Sequence, residues 1–278
     1  MWSDLSAFWA LGWQPEPTAI AGVILLTLGY LLAVGPLRQR LGGDRTPSAG
    51  QQAGFHLGTL VVLLALVSPL DVLGDQYLFS AHMVQHLLFL LVAGPLWLQG
   101  IPPWLMGWIV PAGWPRRALR AATRPLVAFL LYSGVMWIWH LPGLYNAALE
   151  NESLHAFEHL SFLAASVIGW WPVLGQLPRD APRASTLTQM VYLFLLGFPC
   201  TALSALLVFA HQPLYSFYLT VPRIWGTSAL GDQVLGGVLM WVPSHMVYLT
   251  ALSIVFFRWL EETSAQSRGL PVGGVHTR

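Results

Sequence analysis

Long apolar runs alternate along the chain with short stretches that carry arginine, proline or glycine, and this alternation dominates every shorter periodicity. A helix needs about 20 mostly apolar residues to cross the hydrocarbon core of a bilayer. By that measure the candidate crossings run from about Thr18 to Leu37, Phe55 to Leu70, Tyr77 to Leu98 and Pro125 to Leu141. Three more follow, from about Leu154 to Trp171, Leu187 to Ala210 and Asp232 to Phe257. Segment 101–114 (IPPWLMGWIVPAGW) is apolar but short and bounded by prolines, and it reads as an interfacial or re-entrant piece. The pattern predicts an all-α polytopic membrane protein, a seven-transmembrane-helix bundle. An interfacial N-terminal segment (1–17) precedes the helical domain (18–257), and a cytoplasmic tail (258–278) follows it. The first residues include Asp4 and no basic cluster, so they read as an aromatic interfacial segment and not as a cleaved leader.

Composition strengthens this picture. Of 278 residues, 55% are hydrophobic and 9% charged, where a soluble domain carries about 25% charged residues. So few charges cannot cover a water-exposed surface of this size. All 13 basic residues are arginines. With seven crossings, Arg38, Arg40, Arg45, Arg116, Arg117, Arg120, Arg124, Arg179, Arg183, Arg258, Arg268 and Arg278 fall on one side, and Arg223 alone on the other. The positive-inside rule makes the first side cytoplasmic and places the N-terminus outside and the C-terminus inside. A formal net charge of +1 gives no reason to expect a nucleic-acid partner, and a single cysteine, Cys200, excludes an internal disulfide and any CxxC site.

Ionisable residues inside crossings are costly and point to function. The third crossing contains HMVQH (His82, His86) and the fifth HAFEH (His155, His159). Residues four apart share one helix face, so each pair can address the same interior volume. Both helices run inward, which puts the four imidazoles in the outer half. His140, His211 and Asp232 reach the same level from neighbouring helices. Imidazole suits copper, zinc and iron, and a thioether shifts preference toward Cu(I). Met83 adjoins His82, and Met136 precedes His140 by one turn. Glu158 and Asp232 are candidate ligands or orienting partners for a histidine ring. A haem b centre, a proton or metal pathway and a structural polar network are the competing readings of the same residues. His245 lies deeper on the last crossing, His56 enters from the other side, and His276 is in the tail. Cys200 reads as a small core residue or a soft ligand. Gly236 and Gly237 read as a close helix approach. No nucleotide-binding loop, zincin motif or serine nucleophile elbow is present.

Four stretches in order, HMVQHLLFLLVAGPLWLQG (82–100), WIWHLPGLYNAAL (137–149), HAFEHLSFLAASVIGWWPVLG (155–175) and DQVLGGVLMWVPSH (232–245), carry a resemblance. The chain resembles the multi-span bacterial CtaG-type cytochrome c oxidase assembly factors associated with caa3-type oxidases. The resemblance implies a seven-helix protein of the bacterial plasma (inner) membrane that is not an enzyme. It implies a role in maturing a haem–copper oxidase and forming its copper centre, with an oxidase subunit and a copper-donor protein as partners. Carried onto this chain, the ligand role falls on His82, His86, His155 and His159, with His140 and Asp232 as supporting or transfer residues and Cu(I) as the metal. Haem b remains the alternative cofactor, and oxidoreductase activity would follow only from it.

Overall fold

The computed structural model describes residues 12–175 and 184–267. Among these the regular structure is helical throughout. The elements are α1 (Pro17–Val34), α2 (Ala49–Val67), α3 (Pro69–Gln76), α4 (Phe79–Gly100) and α5 (Pro103–Ile109). There follow α6 (Trp114–Ala122), α7 (Pro125–Trp139), α8 (Pro142–Glu150) and α9 (Glu152–Leu174), then α10 (Thr186–Val208), α11 (Phe217–Thr220) and α12 (Ala229–Ser267).

Among the described residues five helices, α1, α2, α4, α10 and α12, are long and apolar enough to cross a membrane, and the α6–α7 pair, bent by 77°, makes a sixth if taken as one crossing. The sequence led us to expect seven. The difference lies in two helices whose composition or length departs from the rule. α7 has 15 residues, about 22 Å at the usual rise. α9 has 23 but carries Glu152, His155, Glu158 and His159 in its first two turns. Segment 101–114 folds as the seven-residue α5 and the start of α6, too short to cross. The last helix exceeds expectation, running past Phe257 through Arg258, Glu261 and Glu262 to Ser267.

Local chemistry explains several boundaries. Ser48 and Gln51 form a reciprocal capping box at the start of α2. Proline opens α3, α7 and α8, where its missing N–H is not needed. Within α4, residues Leu88–Ala93 widen into a π-helical stretch just ahead of Pro95, a residue that cannot donate to the preceding turn. The Leu90 carbonyl there accepts from Ser166 Oγ at 2.7 Å and Trp170 Nε1 at 2.9 Å, tying α4 to α9.

Glycines permit close approaches between helices: a Cβ on Gly94 would lie 2.1 Å from Ser166 Oγ, and one on Gly236 would lie 2.4 Å from the Phe79 ring. The close approach expected at Gly236 and Gly237 is therefore real, the latter fitting against Leu207 and Val208 of α10. The outward faces are apolar: Leu25, Leu126, Phe157, Leu160, Leu187, Phe194 and Met246 are all exposed. An apolar exterior of this extent suits lipid and not water.

One end of the bundle is closed by α8, α11 and their loops. Tyr145 and Tyr218 hydroxyls meet at 3.2 Å, Tyr218 donates to the Gly74 carbonyl at 2.7 Å, and Tyr215 donates to the His140 carbonyl at 3.1 Å. Directly beneath this aromatic cover lie the histidines.

Candidate metal centre

The start of α4 is set by α12. Asp232 accepts from the Phe79 N–H at 2.7 Å, the Ser80 N–H at 3.1 Å and the Ser80 hydroxyl at 2.5 Å. A carboxylate at a helix N-terminus satisfies amides that have no partner within the helix and is favoured by the helix dipole. The side chain of Asp232 is thus committed to positioning α4, the helix that bears His82 and His86, and it joins none of the sets of nearby ligand atoms. The sequence reading offered it as a metal candidate. In the structure its oxygens accept from the start of α4 instead. α3 then packs on the same turn: a Cβ on Gly74 would meet His82 backbone atoms at 3.0 Å, so only glycine lets the following Asp75 come this close. At the start of α9, Asn151 caps the Leu154 N–H. This helix turns Phe157 and Leu160 outward, while Glu158, His159 and Phe162 are buried.

These elements bring together imidazoles from three helices, α4, α7 and α9. His82 and His86 rings are 4.2 Å apart, His155 and His159 4.1 Å, His82 and His155 5.3 Å, and His86 and His159 5.6 Å. His140, at the end of α7, follows at 6.2 Å from His86. Two carboxylates complete the group. Glu158 lies 3.6 Å from His86 Nε2 and 4.0 Å from His82 Nε2. Asp75 lies 3.5 Å from both His82 Nδ1 and His155 Nδ1. Two sets have ligand atoms all within 4.8 Å of one another: His82, His155 and His159, and His82, His86 and Glu158. His82 belongs to both.

Burial makes this arrangement unusual. Glu158 is 1% exposed and His82 not at all, yet both Glu158 oxygens and both nitrogens of His82 and of His86 lack a hydrogen-bond partner. So do His155 Nε2, His159 Nε2 and Asp75 Oδ1. Buried polar atoms are nearly always bonded, and leaving one unsatisfied costs about 1–3 kcal/mol. A group of them within reach of one another could hold a cation. The side closest to solvent is marked by Asp75 and His155, whose side chains are 27% and 14% exposed. Outside the crossings, burial pushes the carboxyls of Asp71 and Asp75 up, Asp71 also through the charge of Asp75 beside it. Asp71 in turn accepts from Gln85 Nε2 at 2.7 Å, which connects α3 to α4 one turn from the histidines.

Five of the histidines singled out from sequence are therefore neighbours, and Glu158 with them. His211 is exposed, outside the group. His245 is spoken for, with Nδ1 2.8 Å from the Trp241 carbonyl and Nε2 2.9 Å from the Thr201 hydroxyl. His56 packs edge-on against Tyr30 and Phe55, and His276 lies outside the described residues. Cys200 is buried and donates to the Met240 carbonyl at 3.4 Å. Asp75 was missed by the sequence reading. The only sign of it was the glycine immediately before an acid, close upstream of HMVQH.

An all-helical bundle with an apolar exterior and a buried imidazole–carboxylate group defines the class. Residues 28–262 match the family described as cytochrome c oxidase caa3 assembly factor (Caa3_CtaG), and the chain belongs to that family. It is also similar to uncharacterized proteins of Mycobacterium bovis, Mycobacterium tuberculosis and Mycobacterium leprae. Each is 23% identical over 270 residues, covering 90% of this chain and 40% of the relative. The chain thus spans about two fifths of the length of these relatives. No solved structure matches it.

Proposed function

We propose that this protein serves assembly of a haem–copper cytochrome c oxidase by binding Cu(I) in the histidine group and releasing it to an oxidase subunit. The observation that carries the reading is the set of buried, unbonded imidazole and carboxylate atoms around His82 and Glu158. The family membership supplies the oxidase. Cu(I) is cargo here. His82, His86, His155 and His159 hold it, Glu158 offsets its charge, and Asp75 with His155 forms the entry. Two ligand sets sharing His82 allow stepwise exchange, in which one ligand is gained before another is lost. A site built this way can release what it binds, unlike a closed four-ligand structural centre.

The protein lies in the bacterial plasma membrane with seven crossings, α7 and α9 included, and with its N-terminus outside. The apolar exposed face of α9 and the distribution of arginines support this topology. The histidine group then sits in the outer half. Haem b is the competing occupant, since two histidines on different helices can ligate its iron axially. Ring separations of 4.1–6.2 Å, with Phe162 4.2 Å from His86, favour an ion over a macrocycle. Deleting the gene under limiting copper tests the assembly role. The expected result is normal synthesis of oxidase subunits with loss of copper from the assembled enzyme. Normal copper content would overturn direct delivery.

A further inference from the structure

Beside the histidine group lies a second pair of donors with a different chemistry. His140 Nδ1 is 2.6 Å from the Met136 carbonyl. A carbonyl is only an acceptor, so Nδ1 carries the proton and Nε2 of the neutral ring keeps its lone pair. That lone pair faces Met83 Sδ at 3.3 Å. A thioether sulfur also has no proton to give. Two buried acceptors thus confront each other with no hydrogen between them, His140 being 5% exposed and Met83 not at all.

An electrophile between them would resolve the conflict. With metal–ligand bonds of about 2.0 Å to nitrogen and 2.3 Å to sulfur, the 3.3 Å separation subtends about 100° at the ion. Such a bent geometry leaves room for a third ligand, and His86 is the adjacent imidazole. The pair also opens on a narrow internal void lined by Met83, His86, Met136, His140, Cys200 and Met240, among other residues. Thioether and thiol donors therefore cluster here, whereas the neighbouring group offers only nitrogen and oxygen.

We propose that Met83 and His140 form a second Cu(I) subsite, a soft sulfur–nitrogen station next to the imidazole–carboxylate group and sharing His86 with it. This inference rests on the copper reading above and adds a donor set to it. Thioether sulfur discriminates for Cu(I) against harder divalent ions, so the station selects oxidation state as well as metal. Transfer between the two sets is a ligand exchange at His86 with no change in oxidation state.

The test uses the full-length protein in mild detergent, loaded anaerobically with Cu(I) against a competing chelator and measured by copper X-ray absorption. The saturated wild type is expected to show a sulfur scatterer in addition to nitrogen and oxygen. Met83→Leu, close in volume and apolar, is expected to remove the sulfur shell and lower Cu(I) capacity while binding at the other histidines persists. His140→Asn is expected to do the same, and it provides an independent variant should one fold poorly. A nitrogen- and oxygen-only spectrum in the copper-loaded wild type overturns the subsite and leaves the histidine group standing. A sulfur shell that survives Met83→Leu also overturns it, by assigning the sulfur elsewhere. No Cu(I) binding at all removes both readings together.

Discussion

Asp232 and Glu158 are buried to the same degree, 1% exposed each, and their surroundings could hardly differ more. Asp232 accepts three hydrogen bonds at the first turn of α4. Glu158, two turns into α9, accepts none and faces two histidines at 3.6 and 4.0 Å. The first carboxylate holds a helix start, and each of its oxygens has a donor. The second leaves its capacity unused, at a free-energy cost that a purely structural residue would not carry. The neighbouring histidines repeat the pattern. His245 has a partner for each ring nitrogen, while His82 and His86 have none. Satisfaction of hydrogen bonds, more than burial or residue type, separates the scaffold from the site.

The largest effect expected from this contrast is in metal affinity. Replacing His82 and His86 together by alanine removes ligands from both sets, and replacing His155 and His159 together leaves His82 alone in the first. Each double variant is expected to lower Cu(I) affinity by about 100-fold or more, since losing even a residue that only orients a ligand typically costs about 10–100-fold. Chelator competition measures it, with His276→Ala as an unaffected control. Next comes stability. Asp232→Ala strands the Phe79 and Ser80 amides, and loss of a buried cap with unsatisfied donors is expected to cost about 2–4 kcal/mol. Thermal unfolding in detergent reads this, and a variant as stable as the wild type would break the comparison from the Asp232 side.

Glu158→Gln sharpens the contrast from the other side. It keeps shape and replaces a buried carboxyl that has no hydrogen-bond partner, so the metal-free protein is expected to be no less stable. Cu(I) affinity should nonetheless fall by about tenfold, the lower end of the range for a residue beside a metal. Loss of stability in the metal-free state with unchanged affinity would make Glu158 a scaffold residue like Asp232. The smallest effect belongs to His245→Ala, which is expected to leave Cu(I) affinity within about twofold while costing about 1 kcal/mol for its lost hydrogen bonds. The sidedness of the site is checked separately in a Cys200→Ala background. Gln212→Cys should react with an impermeant thiol reagent in intact cells, and Ala118→Cys should not.

The sequence made the helices legible because an apolar run is a local signal. It also made the histidine pairs legible, because four-residue spacing fixes a shared face whatever the rest of the chain does. Placement at a common level followed from alternating helix direction alone, and His82, His86, His140, His155 and His159 do meet. What was not legible depended on contacts between distant segments. Asp232 caps a helix that begins at Phe79, 153 residues away, and no local pattern announces such a bond. Asp75 reads as a loop acid until Gly74 lets α3 press on His82. The π-helical stretch after His86 and the extension of α12 into a charged segment follow from packing and helix propagation, and hydropathy reports neither.

The most direct test of the central claim, that the unbonded group around His82 and Glu158 is a Cu(I) site, is anaerobic Cu(I) titration of the purified full-length protein alongside its absorption spectrum. The account predicts a protein with no visible chromophore as purified that binds Cu(I) stoichiometrically and loses this binding when His82 and His86 are replaced together. A stoichiometric Soret band with bound iron, or Cu(I) binding unchanged in that double variant, would contradict it.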